Sequence, residues 1–182
     1  MSDYPVQTIG QTSDAARPVL EEVQNAFGLV PNIAGAMANS PELLKGFWGL
    51  FQQVHAGTFS EAEIQTLLLT NAVTNASAWV VAFHTMLALK EGLGAADVAA
   101  IRAGQSPADA RLAALSSYAR NLIERRGHAD TEVLNGLLKA GFSRAQSLEV
   151  LAVTAASTIT NYTASITNPP LEEFLSQSTW QR

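Results

Sequence analysis

The residues best able to do chemistry lie between positions 60 and 90. His84 carries a ring whose ordinary pKa lies near neutrality, where a general acid or base must work. Seven positions before it stands Ser77, with Trp79 and Val80 in between. Gln65 and Asn75 precede them, and Asn161 follows far down the chain. A hydroxyl beside an imidazole suggests nucleophilic catalysis. The spacing opposes it, because seven residues of helix span about 10 Å, whereas a hydrogen bond needs about 3 Å. One turn before His84 is Val80, which offers no nucleophile. Ser77 is therefore read as capping or satisfying the start of its own helix. His84 has two readings: an acid/base, or a core imidazole bonded to Gln65 or Asn161.

The remaining polar candidates are weaker. His55 falls near a helix C-terminus, where a positive ring is mildly favoured, and reads as structural or exposed. His128 follows Gly127 in a turn and reads as exposed. Three scattered histidines do not make a metal site, so neither a metal nor another cofactor is expected. Glu61, one turn before Gln65, reads as solvated. Glu149 lies on the last long helix, unsupported by any motif. Trp48, Trp79 and Phe83 read as core, with Trp79 also placed to line a pocket. The chain has no cysteine, which rules out a disulfide, a thiolate metal site or a thiol redox cycle within it.

The elements that must position these residues are helical. Apolar residues recur at helical spacing nearly throughout, and the alternation that marks strands is missing. Helices are expected from Ser13 to Phe27, around Ile33 to Ala38, and from Pro41 to about Ala56 behind a Ser40 cap. Ser60 and Glu63 have the spacing of a capping box. Asn75 is expected to cap a helix from Ala76 to Glu91. A short helix over Ala95 to Ala103 follows. Pro107 is expected to open a long helix to Arg126, and Asp130 to Ala140 forms the next. Ser143 is expected to cap a helix running to Asn168, broken by Pro169-Pro170, with a final turn over Leu171 to Leu175. The reading is an all-α, single-domain helical bundle over residues 1–182, with residues 1–12 extended.

The chain has 182 residues, 47% of them hydrophobic and 15% charged, with a formal net charge of -5. That composition is globular, and the negative charge argues against a nucleic-acid partner. Neither a signal peptide nor a membrane-spanning stretch is found, so the expected location is cytoplasmic.

Several motifs agree in order and spacing with one family. Phe59 to Ile64 followed by Asn75-Ala76-Ser77-Ala78-Trp79-Val80-Val81-Ala82-Phe83-His84 resembles the signature of the alkylhydroperoxidase D / carboxymuconolactone decarboxylase family. Pro31-Asn32, Asn39-Ser40-Pro41, the Ala140 to Ser143 turn, and Asn161-Tyr162 with Pro169-Pro170-Leu171 are similar to its longer, peroxidase-related subgroup. The resemblance covers roughly residues 25 to 175 and implies an AhpD-like helical fold. It also implies two cysteines and a relay glutamate, and here the chain departs. The cysteine positions hold Ser77 and Val80, and the glutamate position holds Gln65. A hydroxyl and an isopropyl group cannot run a thiol–disulfide cycle.

Three functions are therefore expected to compete. The first is a cysteine-less, degenerate relative that binds a small molecule near His84, with Gln65, Asn75, Ser77, Trp79, Val80 and Asn161 around the pocket. The second is a non-redox enzyme similar to the decarboxylase branch, with His84 as acid/base. The third, the peroxidase-related oxidoreductase that the resemblance alone would imply, conflicts with the missing thiols. The resemblance further implies a homo-oligomer: a trimer, a hexamer or a dimer. The helices Leu112 to Ile123 and Ala145 to Ile166, apolar or small-residue-rich around more than one face, give the same expectation.

Overall fold

Helix α1 (Arg17–Phe27) stops at Gly28, whose φ of 77° is a left-handed conformation that suits glycine. The computed structural model describes residues 3–181. Residues 1 and 2 of the segment expected to be extended lie outside that range. From residue 3 to residue 12 the chain forms bends and turns without helix, and the Gln7 N–H donates to Gly35 O at 3.0 Å.

Short polar side chains set most helix starts. Before α3 (Pro41–His55), the Ser40 hydroxyl accepts from the Leu43 N–H. Before α4 (Glu61–Thr74), Ser60 and Glu63 complete both halves of a capping box. Ser143 and Gln146 do the same for the 24-residue α9 (Arg144–Thr167). Between these lie α2 (Asn32–Met37), α5 (Ala78–Lys90), α6 (Ala95–Arg102), α7 (Ala110–Glu124) and α8 (Thr131–Lys139). A 3-10 helix covers Glu173–Ser178. Pro107 does not open α7, contrary to expectation. The Asp109 carboxylate accepts from the Leu112 N–H at 2.9 Å, and that cap sets the start.

Helix α4 is the axis of the molecule. Every residue from Glu63 to Ala72 is buried, and the helix packs against α5, α6, α7 and α9. Its buried polar side chains find partners, Thr66 and Asn71 on the helix's own backbone, Thr70 on Ser116 and Gln65 on His84, so the helix can take the centre. Leu67 and Leu69 are wholly inaccessible, each worth about 1.5–3 kcal/mol of burial. Helix α5 is buried from Trp79 to Thr85 and lies along α4. The result is one all-helical domain with Gln65 and His84 on adjacent central helices. Among the described residues, no helix is long and apolar enough to cross a membrane.

Candidate functional site

Helix α4 offers two acceptors one turn apart, and each holds an imidazole. Glu61 Oε1 lies 3.0 Å from His55 Nδ1, at the end of α3. Gln65 Oε1 lies 2.9 Å from His84 Nδ1, in the middle of α5. An amide oxygen only accepts, so Nδ1 of His84 carries the proton and Nε2 presents a lone pair. No protein group is bonded to that Nε2 among the described residues. His84 is 7% exposed. Burial pushes its pKa down to about 3, with the charge of His55 adding to the effect. At neutral pH the ring is uncharged.

His84 forms part of the wall of a cavity of about 50 Å³ between α1, α3, α5 and α9. The wall is almost entirely apolar. Phe27, Phe47, Trp48 and Phe51 form one side, Trp79, Val80 and Phe83 another, and Ser157 and Thr160 of α9 supply two hydroxyls. Thr160 Oγ1 already donates to Ser157 O, and Ser157 Oγ accepts from Asn161 Nδ2 at 3.3 Å. Two rings are pinned by carboxylates: Trp48 Nε1 donates to Glu22 at 2.6 Å, and Trp79 Nε1 donates to Glu172 at 3.0 Å. Glu172 also accepts from the Asn32 N–H at 2.7 Å, tying the C-terminal segment to the start of α2 and to Trp79.

The structure distributes the sequence candidates unevenly. His84, Trp79 and Val80 line the cavity, and Gln65 stands behind His84. Asn75 does not cap α5. It ends α4, with its Nδ2 donating back to Asn71 O at 2.9 Å, because Ala76 turns the chain at a φ of 54° and α5 starts only at Ala78. Ser77 sits at the N-cap of α5 but makes no cap bond, and its hydroxyl is buried without a partner. The expectation that it satisfies its own helix start is thereby corrected. Asn161 is buried and bonds Ser157 from behind the wall. Glu61 is exposed, as expected of a solvated side chain, and its Oε1 meets His55 Nδ1. Glu149 accepts from the N–H and hydroxyl of Thr58, fixing the loop after α3. His128 is exposed. Among the described residues, no cluster of three or more His, Cys, Asp or Glu could hold a metal.

Sequence reasoning missed Phe27, Phe47 and Phe51. Phe47 and Phe51 are four apart and share one face of a helix, which was a usable signal. Phe27 had none, since its place depends on how α1 docks.

No family model matches the chain, and no curated protein matches it. Solved structures do. A peroxidase-related protein with an alkylhydroperoxidase AhpD core, from Ralstonia eutropha JMP134, matches with a TM-score of 0.83 at 18% identity, over 96% of this chain and 94% of that one. The chain has the AhpD-like fold. A cysteine-to-alanine variant of the debrominase Bmp8, in complex with 2,3,4-tribromopyrrole, matches with a TM-score of 0.79 at 19% identity, over 98% of this chain and 97% of that one. A peroxidase-related protein from Silicibacter sp. TM1040 matches with a TM-score of 0.76 at 19% identity, covering 95% and 92% of the two chains. At such identities the AhpD-like likeness establishes architecture alone, and within that architecture this chain is cysteine-free.

Proposed function

We propose that this chain is a binding protein for a small, largely apolar molecule, held in the cavity beside His84, without thiol peroxidase chemistry. The observation that carries this reading is the cavity wall: stacked aromatic rings, one neutral imidazole and no charged side chain. Pockets of this kind, mostly apolar with a few placed polar groups, suit small organic ligands. A fold neighbour that holds a brominated pyrrole supports the reading. Two measurements test it. Peroxide consumption with a dithiol reductant is expected to equal that of a no-protein control. A screen of small aromatic compounds by thermal shift is expected to yield ligands that raise the unfolding temperature, as any binder of the folded state must. Steady peroxide turnover by the purified, metal-free protein would defeat the first half, and a silent screen the second.

A second reading, a non-redox enzyme with His84 as base, is favoured by the bare Nε2 lone pair. Two features weigh against it. A base whose conjugate acid has a pKa of about 3 is poorly matched to neutral pH. No Lys or Arg lines the cavity to hold a carboxylate substrate.

We also propose that the chain self-associates through the outer face of α9, where Leu148, Leu151, Tyr162 and Ile166 are exposed. Large apolar side chains lined up along one helix face usually mark a partner surface.

A further inference from the structure

The cavity has a shape that its size conceals. Trp48 and Phe51 of α3 stack with centroids 5.3 Å apart and planes 11° apart. Trp79 and Phe83 of α5 stack at 5.1 Å and 17°. The ring of Phe27 stands between these walls, 5.7 Å from Phe51, 6.3 Å from Trp48 and 6.1 Å from Phe83, edge-on to the last. One side chain of this protein thus occupies a slot between two aromatic pairs.

Size shows which ring must move. The cavity measures about 50 Å³, whereas an apolar cavity of about 150 Å³ accommodates benzene. The deficit is close to one phenyl ring. Trp48 and Trp79 are pinned by Glu22 and Glu172, and Phe83 is buried. Phe27 and Phe51 are both half-buried, but Phe51 lies inside α3, whereas Phe27 is the last residue of α1, next to Gly28 in its left-handed conformation. Helix ends open at less cost than helix interiors, so Phe27 is the ring that swings out.

Chemistry then selects the ligand. A charged molecule would lose its hydration and find no counter-charge in the wall. A planar ring would recover the tilted and edge-on aromatic contacts that Phe27 makes on both sides. The Nε2 lone pair of His84 requires a donor, and a ligand without one leaves that acceptor dry and unpaired.

We propose that the site takes a neutral, planar aromatic molecule bearing one N–H or O–H donor, such as a phenol or an azole. Its ring enters between Trp48/Phe51 and Trp79/Phe83 in place of Phe27, and its donor bonds His84 Nε2. This inference rests on the reading of the chain as a binding protein.

The test pairs phenol with anisole, which keeps the ring and loses the donor, and repeats the pair with indole and N-methylindole. Binding is read by isothermal titration calorimetry, since indole shares the chromophore of Trp48 and Trp79 and would mask their fluorescence. The intact protein is expected to prefer each donor compound by about tenfold, the upper range for one neutral hydrogen bond. Phe27→Ala is expected to tighten all four ligands severalfold and keep the preference. His84→Phe is expected to reduce the preference to less than threefold. Should that variant not fold, the Nε2 nitrogen resonance of His84 in the intact protein serves instead, and is expected to move with phenol and stay with anisole. Equal affinities for the paired ligands, or a preference that survives His84→Phe, would overturn the ligand class and leave the binding reading standing. Binding of none of the four to either the intact protein or Phe27→Ala would overturn both.

Discussion

A buried, uncharged histidine at the centre of the bundle makes folding sensitive to acid. The ordinary pKa of the His84 side chain is 6.5 and its folded value is about 3. Above pH 6.5 the ring is neutral in both states, and the stability it permits is fully present. Below that, the unfolded chain takes up a proton that the folded chain refuses, so stability falls until the pH reaches the folded value. The expected loss between pH 7 and pH 5 is about 2 kcal/mol from this residue. Urea denaturation of the native protein and His84→Gln at both pH values checks this, and equal pH slopes would count against it. At this scale the sequence was only partly legible. His84 stood out by type and spacing, but Gln65 and Asn161 remained equal candidates to bond it, because 19 residues of separation say nothing about how two helices align. Ser77 misled for a related reason. An N-cap position predicts a cap bond, yet this hydroxyl is buried without one.

Helices were legible where a short polar side chain closes them. Ser40, Ser60 and Ser143 each accept the N–H expected of a cap. The starts of α5 and α7 were misplaced because proline and asparagine signals preceded the residue that sets the first turn. Packing between elements left no such mark, and two glycines show the difference. A Cβ on Gly35 would lie 2.7 Å from Gln7 O and from Val6 Cγ1, because the N-terminal segment crosses α2 there. A Cβ on Gly46, inside α3, would meet nothing within 4 Å. Gly35→Ala is expected to destabilise by about 1–3 kcal/mol through that clash. Gly46→Ala is expected to stabilise by about 0.5–1 kcal/mol by removing backbone freedom from the unfolded chain. Urea midpoints for the two variants should move in opposite directions, and a midpoint that rises for Gly35→Ala would refute the packing described at residue 35.

For the whole molecule, the order of helices followed from periodicity, but which helix takes the centre did not. The outer face of α9 exposes Leu148 at 66% and Ile166 at 67%. The one charged residue on α9 beyond Arg144 is Glu149, and it is engaged by Thr58. Such a face carries little to repel a second copy of itself, and symmetric self-association is the common outcome. Light scattering is expected to give a multiple of the 19.3 kDa chain mass. The double variant Leu151→Glu, Ile166→Glu should return the single-chain mass. A native protein that scatters as one chain at micromolar concentration would end the proposal.

Glu172, which bonds Trp79 and the Asn32 N–H, has a consequence in time. Translation runs from the N-terminus, so α1 to α9 are made before Glu172 exists, and earlier parts of a chain can fold before later ones. Until residue 172 is made and docks, Trp79 lacks its anchor. One carboxylate thus holds both a ring of the cavity wall and the start of α2, and Glu172→Gln, which weakens that anchor, should leave the protein faster to take up and release a ligand.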